Sequence, residues 1–419
     1  MKKCNGVFSK CVLIKGYIFI YFSYEIEEHV VTTEDNYKLL LFRVTLKNDE
    51  SKSPKRPVLF QHGLFDSSDG WICNYEKNCL PFILLKKGFD VWIANSRGNK
   101  HSKCVELENG RDPSNDSTYW DYSFHEMGIY DTPANIEKIL SINKDFTDII
   151  YFGHSQGGAS ILAGLCEKLE YFKSKLKLII LLAPASRVDN YNSNLLTFIK
   201  ELDIDEKLKT KNIHEVLPHH PYMNNLSIKL SKIYPTLHYA MLEMTSDEDS
   251  WMNCPERIKV YMSHYPSGSS LKSLTHFKQI INSKTFQYFD YGEEENLKRY
   301  GSTTPNVYNL KSIEGVKIVL CGGIKDKLTN IEDIRWLRNQ LNGKSLLNYY
   351  EFEHMGHASF LINNDITWFN FVLVDIYKTV DEDYLNMIKR RDKEQAYEKT
   401  LKRVILRKKL KRKSFPSFI

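Results

Sequence analysis

Several patterns that would settle the class of this chain are missing. Eight cysteines occur in 419 residues, and no two stand in a C-x-x-C spacing or in a Cys/His cluster of the metal-binding kind. That leaves no zinc ribbon and no disulfide framework to build on. Cys73 and Cys79 read as two small buried thiols, with a bridge between them as the alternative in an oxidising compartment. No internal repeat is visible, which excludes solenoids and arrays. A long uncharged apolar run is also lacking. The best candidate, CVLIKGYIFIYFSY at 11–24, is interrupted by Lys15 and is too short for a membrane-spanning helix. With Lys2, Lys3 and Lys10 before it, the stretch 1–24 has the form of a signal or anchor segment, and equally suits a surface strand or helix. Excess charge is confined to one region. The net charge is +6, but residues 376–419 hold 14 Lys and Arg against 6 Asp and Glu, a net +8, leaving −2 on the rest. A near-neutral body argues against a nucleic-acid partner.

What is present is a pattern of buried strands. RPVLFQHGL (56–64), GFDVWIANSRG (88–98), TDIIYFGHS (147–155), KLKLIILLAP (175–184), GVKIVLCGG (315–323) and SLLNYYEFEH (345–354) are short apolar runs closed by Gly, Pro, Asn or polar residues. Helical patterns separate them, such as DTPANIEKILSIN at 131–143, with Pro133 in the first turn. Near-continuous apolar strands alternating with helices predict an α/β fold with a mostly parallel sheet and helices on both faces. Residues 26–47 alternate as an antiparallel hairpin turning at Glu34-Asp35-Asn36. The strand pattern lapses between about 186 and 312, where amphipathic helices rich in Lys, Asn, Tyr and Met are expected, and then resumes. The expected organisation is a core over 25–185 and 313–375, an inserted helical cap over 186–312, and a basic extension over 376–419.

Within this frame, Gly153-His154-Ser155-Gln156-Gly157 is a G-x-S-x-G motif with a strand before it and a helix after it. A turn that sharp projects the serine at a helix N-terminus, where backbone N–H groups favour developing negative charge. Ser155 is therefore the candidate nucleophile. It needs a base and an acid, expected downstream with the acid first. Asp326 follows the penultimate strand in CGGIKDKLTN, with Asp333 as its rival in the next helix. His357 and His354 follow the last strand in FEHMGHASFL, and the loop position of His357 suits reach to the serine better. His154 is read as supporting. The oxyanion donors are the N–H groups of Gln156, next to the nucleophile, and Leu64, in the turn QHGLFDSS. The chemistry calls for no metal or cofactor.

These blocks, together with NSRGN at 95–99, WDYSFHEMGIYDTPANIEKIL and YMSHYPSGSSLKSLTHFKQ, resemble the acid lipases, a family that includes gastric lipase, lysosomal acid lipase and steryl ester hydrolases. EEHVVTTEDNYKLLLFRV resembles the N-terminal segment of that family, and the likeness covers roughly residues 24–375. The resemblance implies an α/β-hydrolase fold with a helical cap and hydrolysis of triacylglycerols or cholesteryl esters. It aligns Ser155, Asp326 and His357 with the family's triad and Leu64 and Gln156 with its oxyanion donors. The family's H-x-D-F block, here His357-Ala358-Ser359-Phe360, favours His357 over His354. Ser359 departs from the family's Asp, Asn330 stands where a second acid is common, and 200–255 matches poorly.

The expected function is thus hydrolysis of a lipid carboxylic ester through an acyl-serine. An acyltransferase, a hydrolase of smaller esters and a catalytically inactive lipid-binding module stand as alternatives. The basic stretch 387–415 suits either an anionic membrane or lipid-droplet surface or a solvated tail. The sequons at Asn115 and Asn225 matter only on the secretory route. A secretory or lysosome-like compartment, or membrane association, is expected over the free cytosol.

Overall fold

A computed structural model describes residues 24–47, 53–201, 203–220, 222, 234, 236–248 and 252–380. The segment before Tyr24, the sequon at Asn225 and the basic region beyond 380 lie outside the described residues. The chain divides into two compact units, 1–369 and 370–419. The second is described only over 370–380.

Among the described residues ten strands form, in chain order: β1 (Tyr24–Thr32), β2 (Lys38–Leu46), β3 (Pro57–Gln61), β4 (Asp90–Ala94), β5 (Ile149–His154), β6 (Leu176–Leu182), β7 (Glu215–Val216), β8 (Ser269–Ser270), β9 (Ile318–Gly323) and β10 (Leu346–Phe352). Eight of them make one sheet in the order β1-β2-β4-β3-β5-β6-β9-β10. β1 and β2 form the expected hairpin in antiparallel register, with Asn36 at φ 66° in its turn, and β2 joins β4 antiparallel. The remaining pairs are parallel. Every residue of β3, β4, β5 and β9 is buried, so both faces of the central sheet are covered, as continuous apolar strands require. Alternation divides their side chains. Leu59, Tyr151, Ile179 and Leu320 belong to the main core, while Phe60 and Phe152 stack at 4.7 Å on the opposite face. β10, at the edge, is only half-buried.

The helices used below are α1 (Ser68–Ile72), α2 (Thr132–Ile142), α3 (Gln156–Glu167), α4 (Asn194–Glu201), α5 (Leu237–Thr245), α6 (Pro255–His264), α7 (Leu271–Ser283), α8 (Ile331–Gln340), α9 (Ser359–Ile362) and α10 (Phe369–Thr379). The six predicted strands all form, and this sheet with its helices is the expected α/β-hydrolase arrangement. The stretch between β6 and β9 carries α4–α7 and a two-residue antiparallel ladder of β7 with β8. A π-helical turn over Met127–Asp131 leads into α2, which forms within the helix expected over 131–143. Cys73 and Cys79 are both buried free thiols.

The topology places the chemistry. β3 lies between β4 and β5, so the connection from β4 to β5 must cross it. The C-terminal ends of β3, β5, β9 and β10 point the same way, and open α/β sheets carry sites along that edge. The turn with Leu64, then Ser155, Asp326 and His357, each follow one of these ends.

Candidate active site

Ser155 sits between β5 and α3 with φ 54° and ψ −118°. A non-glycine residue held there is strained, by about 1–3 kcal/mol, and persists only where its surroundings enforce it. They do so from both sides. Its N–H donates to the Leu182 carbonyl at 3.0 Å, and its carbonyl accepts from Gly158 at 2.9 Å and Ala185 at 3.1 Å. Gly157 allows α3 to start this close to β3, since a Cβ there would lie 2.6 Å from the Gln61 carbonyl oxygen. Gln156 occupies the first position of α3, where an N–H has no intrahelical partner.

Asp326 and His357 are bonded to each other. His357 Nδ1 donates to Asp326 Oδ2 at 2.8 Å, which turns Nε2 outward. Thr329 Oγ1 donates to the same oxygen at 2.7 Å, and the N–H groups of Leu328 and Thr329 both donate to Oδ1 at 2.8 Å. The acid is thus fully hydrogen-bonded and held in one orientation. Burial alone would push the His357 imidazole down. The charge and hydrogen bond of Asp326, with Asp247 adding to them, outweigh that and raise its pKa above the ordinary histidine value. Asp333, the rival acid, is occupied elsewhere. It pairs with Arg187 at 2.9 Å and accepts from the N–H groups of Asp189 and Asn190 at 3.0 and 2.9 Å. His354 is exposed just past the end of β10, whereas His357 is buried.

His154 donates from Nε2 to the His357 carbonyl at 3.0 Å, and the two rings lie 4.7 Å apart. Burial, reinforced by the nearby His357, drives its pKa well down, so it is a neutral brace on the backbone of His357.

The turn bearing Leu64 is braced by residues whose roles were not evident from their types. His62 Nδ1 donates to the Gly63 carbonyl at 2.8 Å, leaving Nε2 to accept from the Ser96 N–H and from Asn99 Nδ2, both at 3.1 Å. Burial lowers its pKa to about 4, so this tautomer is neutral. Ser96 and Asn99 belong to the NSRGN block, whose buried Arg97 is gripped by Asp131 through Nε at 2.8 Å and by Asp35 through Nη1 at 2.6 Å. The π-helical turn ends on Asp131. A chain of contacts thus runs from that turn through Arg97 and His62 to the Gly63–Leu64 peptide.

Ser155, His357, His154 and Leu64 all line one cavity of about 300 Å³. Its other walls are mostly apolar and come largely from the stretch between β6 and β9, including Ile199, Leu242, Tyr265, Leu274 and Phe277. Asp66 also lines it, two residues after Leu64.

Comparison with known proteins fits this geometry. Residues 56–363 match the family model for the alpha/beta hydrolase fold, and residues 16–75 match that for a partial alpha/beta-hydrolase lipase region. The chain belongs to the acid lipase family of α/β hydrolases. Similar members of this lipase family include Lipase member K of Homo sapiens, 30% identical over 371 residues that cover 87% of this chain and 90% of that protein. Lysosomal acid lipase/cholesteryl ester hydrolase of Macaca fascicularis is 32% identical over 364 residues, 84% of this chain and 87% of its own. Triacylglycerol lipase 1 of Arabidopsis thaliana is 30% identical over 349 residues, 82% of this chain and 84% of its own. A solved structure from Sulfolobus solfataricus shares the fold with a TM-score of 0.55 at 14% identity, covering 85% of this chain and 94% of that one.

Proposed function

We propose that this chain hydrolyses carboxylic esters of lipids, triacylglycerols or steryl esters, through an acyl-serine on Ser155. The observation that carries the reading is the strained elbow of Ser155 opening on the same apolar cavity as His357, whose far nitrogen is bonded to Asp326. Ser155 Oγ attacks the ester carbonyl carbon while His357 Nε2 takes its proton, and Asp326 stabilises the imidazolium. The N–H groups of Leu64 and Gln156 hold the oxyanion. On collapse the ester C–O bond breaks and His357 returns the proton to the leaving alcohol. Water then attacks the acyl-serine and gives a proton to His357; the acyl C–Oγ bond breaks, His357 returns that proton to Ser155 Oγ, and the fatty acid is freed.

The stretch between β6 and β9 acts in this reading as a cap. Its apolar side chains supply most of the cavity wall, which suits a hydrocarbon chain held out of water. The triacylglycerol lipase and the cholesteryl ester hydrolase among the relatives bracket the substrate class.

Ser155→Ala should lose hydrolysis by about 10⁶-fold and should no longer react with a fluorophosphonate probe. Full activity in that variant would remove Ser155 from the mechanism. Rates across acyl-chain lengths, with triacylglycerol against cholesteryl ester, then test the substrate. Highest kcat/KM on short water-soluble esters, or transfer to an alcohol in preference to water, would overturn the lipid-hydrolase reading.

A further inference from the structure

We propose that Asp247, from the stretch between β6 and β9, is a positioning residue that locks the acid loop and the base loop together and so couples that stretch to the reactive pair. The proposal rests on the reading of Ser155, Asp326 and His357 given above.

The chain around Asp247 runs beside the acid loop. Glu248 N–H donates to the Lys325 carbonyl at 2.7 Å and Lys327 N–H donates to the Ser246 carbonyl at 2.9 Å, an antiparallel bridge of Asp247 with Asp326. From this position the side chain reaches the base loop. Asp247 Oδ1 accepts the N–H of Ala358, the residue after His357, at 3.0 Å. Oδ2 accepts from Asn253 Nδ2 at 2.6 Å. On the other side of His357, Gly356 leaves room for the carboxylate, since a Cβ there would sit 2.4 Å from Asp247 Cγ. A few residues further on, the same stretch touches the base loop again. Cys254 N–H donates to the Ile362 carbonyl and Asn364 N–H to the Met252 carbonyl, both at 2.7 Å, just past α9. Both catalytic loops are therefore fastened to one segment, the acid loop by the backbone on either side of Asp247 and the base loop by the Asp247 side chain.

The carboxylate is fully buried, with 0% exposure. Burying a charge against two neutral donors is a poor way to gain stability. An asparagine would satisfy the Ala358 N–H equally and meet Asn253 after a flip of its amide. What the charge adds is a second carboxylate facing His357. The titratable groups around that imidazole are Asp326 after β9, His154 from β5, which is neutral, and Asp247, with Tyr261 of α6 facing Asp247 in turn.

The test uses the full chain, a soluble ester and a fluorophosphonate probe, with Asp247→Ala and Asp247→Asn compared with wild type. Asp247→Ala should lower kcat by about a hundredfold with KM little changed, the scale of loss from a misplaced reacting group. Asp247→Asn, which keeps an acceptor for Ala358, should recover most of that rate. It should also move the acid limb of kcat/KM to lower pH, because a charge that stabilises the imidazolium has been removed. Wild-type kcat in a folded Asp247→Ala, or an unmoved acid limb in Asp247→Asn, overturns the proposal. If Asp247→Ala does not fold, the acid limb of Asp247→Asn decides alone. No probe labelling in the wild type overturns the nucleophile assignment and this proposal with it. Normal wild-type labelling beside unaffected variants overturns this proposal only.

Discussion

Asp66 is a carboxyl group in an unfavourable place. It lines the cavity, is buried, and its pKa is pushed up to about 7 by that burial, against the pull of the Ser67 N–H. In an unfolded chain the same group titrates near 4. Between those values the folded state holds a proton that the unfolded state has lost, so stability falls as pH rises from about 4 to about 7 and stays lower above. Asp66→Asn removes this term and keeps an oxygen for the Ser67 N–H, which now donates to Asp66 Oδ1 at 2.7 Å. The variant should gain stability over wild type by on the order of a few kcal/mol at pH 8, with little or no gain at pH 4. Denaturant midpoints at the two values measure it, and a pH-independent difference would mean that Asp66 titrates as an ordinary carboxyl. His62 is the opposite case. Burial keeps it uncharged above about pH 4, so its hydrogen bonds around the Gly63–Leu64 turn do not change over the working range.

The nucleophile elbow is an element whose geometry has no slack. Adding one methyl group at Gly157 would drive a carbon to within 2.6 Å of Gln61 O and 3.0 Å of His62 O, both backbone atoms that cannot rotate away. Gly157→Ala should therefore lose about 1–3 kcal/mol of stability and should also lower kcat, because the strain falls on the Leu64 turn and on Ser155 together. Unchanged melting temperature and kcat would refute this tight packing.

Much of this element was legible from sequence, and the reasons are physical. Strands buried on both faces appear as uninterrupted apolar runs, and their ends are marked by the glycines and polar residues that begin the loops. Ser155, Asp326 and His357 stand just past such ends, so spacing alone brings them to one edge. The braces were not legible. Asp247 is one acid among many in a polar stretch, and its partner Ala358 is 111 residues away. The tautomer of His62 depends on Ser96 and Asn99, which only the parallel pairing of β3 with β4 brings near. The π-helical turn at 127–131 differs from an α-helix in its backbone hydrogen bonding, which residue types do not mark, and Asp131 at its end meets Arg97.

At the scale of the whole molecule, charge is unevenly divided, with +8 on residues 376–419 and −2 on the remainder. If the basic stretch binds an anionic lipid surface, each basic residue near that surface contributes about 1 kcal/mol at low salt. A chain ending at residue 380 should bind phosphatidylserine vesicles far more weakly than the full chain, and the difference should shrink as salt rises. Equal binding by both chains in a sedimentation assay would sink the assignment.

The reactive groups are gathered from strand ends far apart in the chain, and this orders events during synthesis. Ser155 is made about two hundred residues before His357, an interval of ~10–40 s at ordinary translation rates. A nascent chain with β1–β6 already paired would have the elbow but neither Asp326 nor His357. Under the proposed mechanism it would be chemically silent toward lipid esters. Activity would switch on only when the last strand of the sheet is in place.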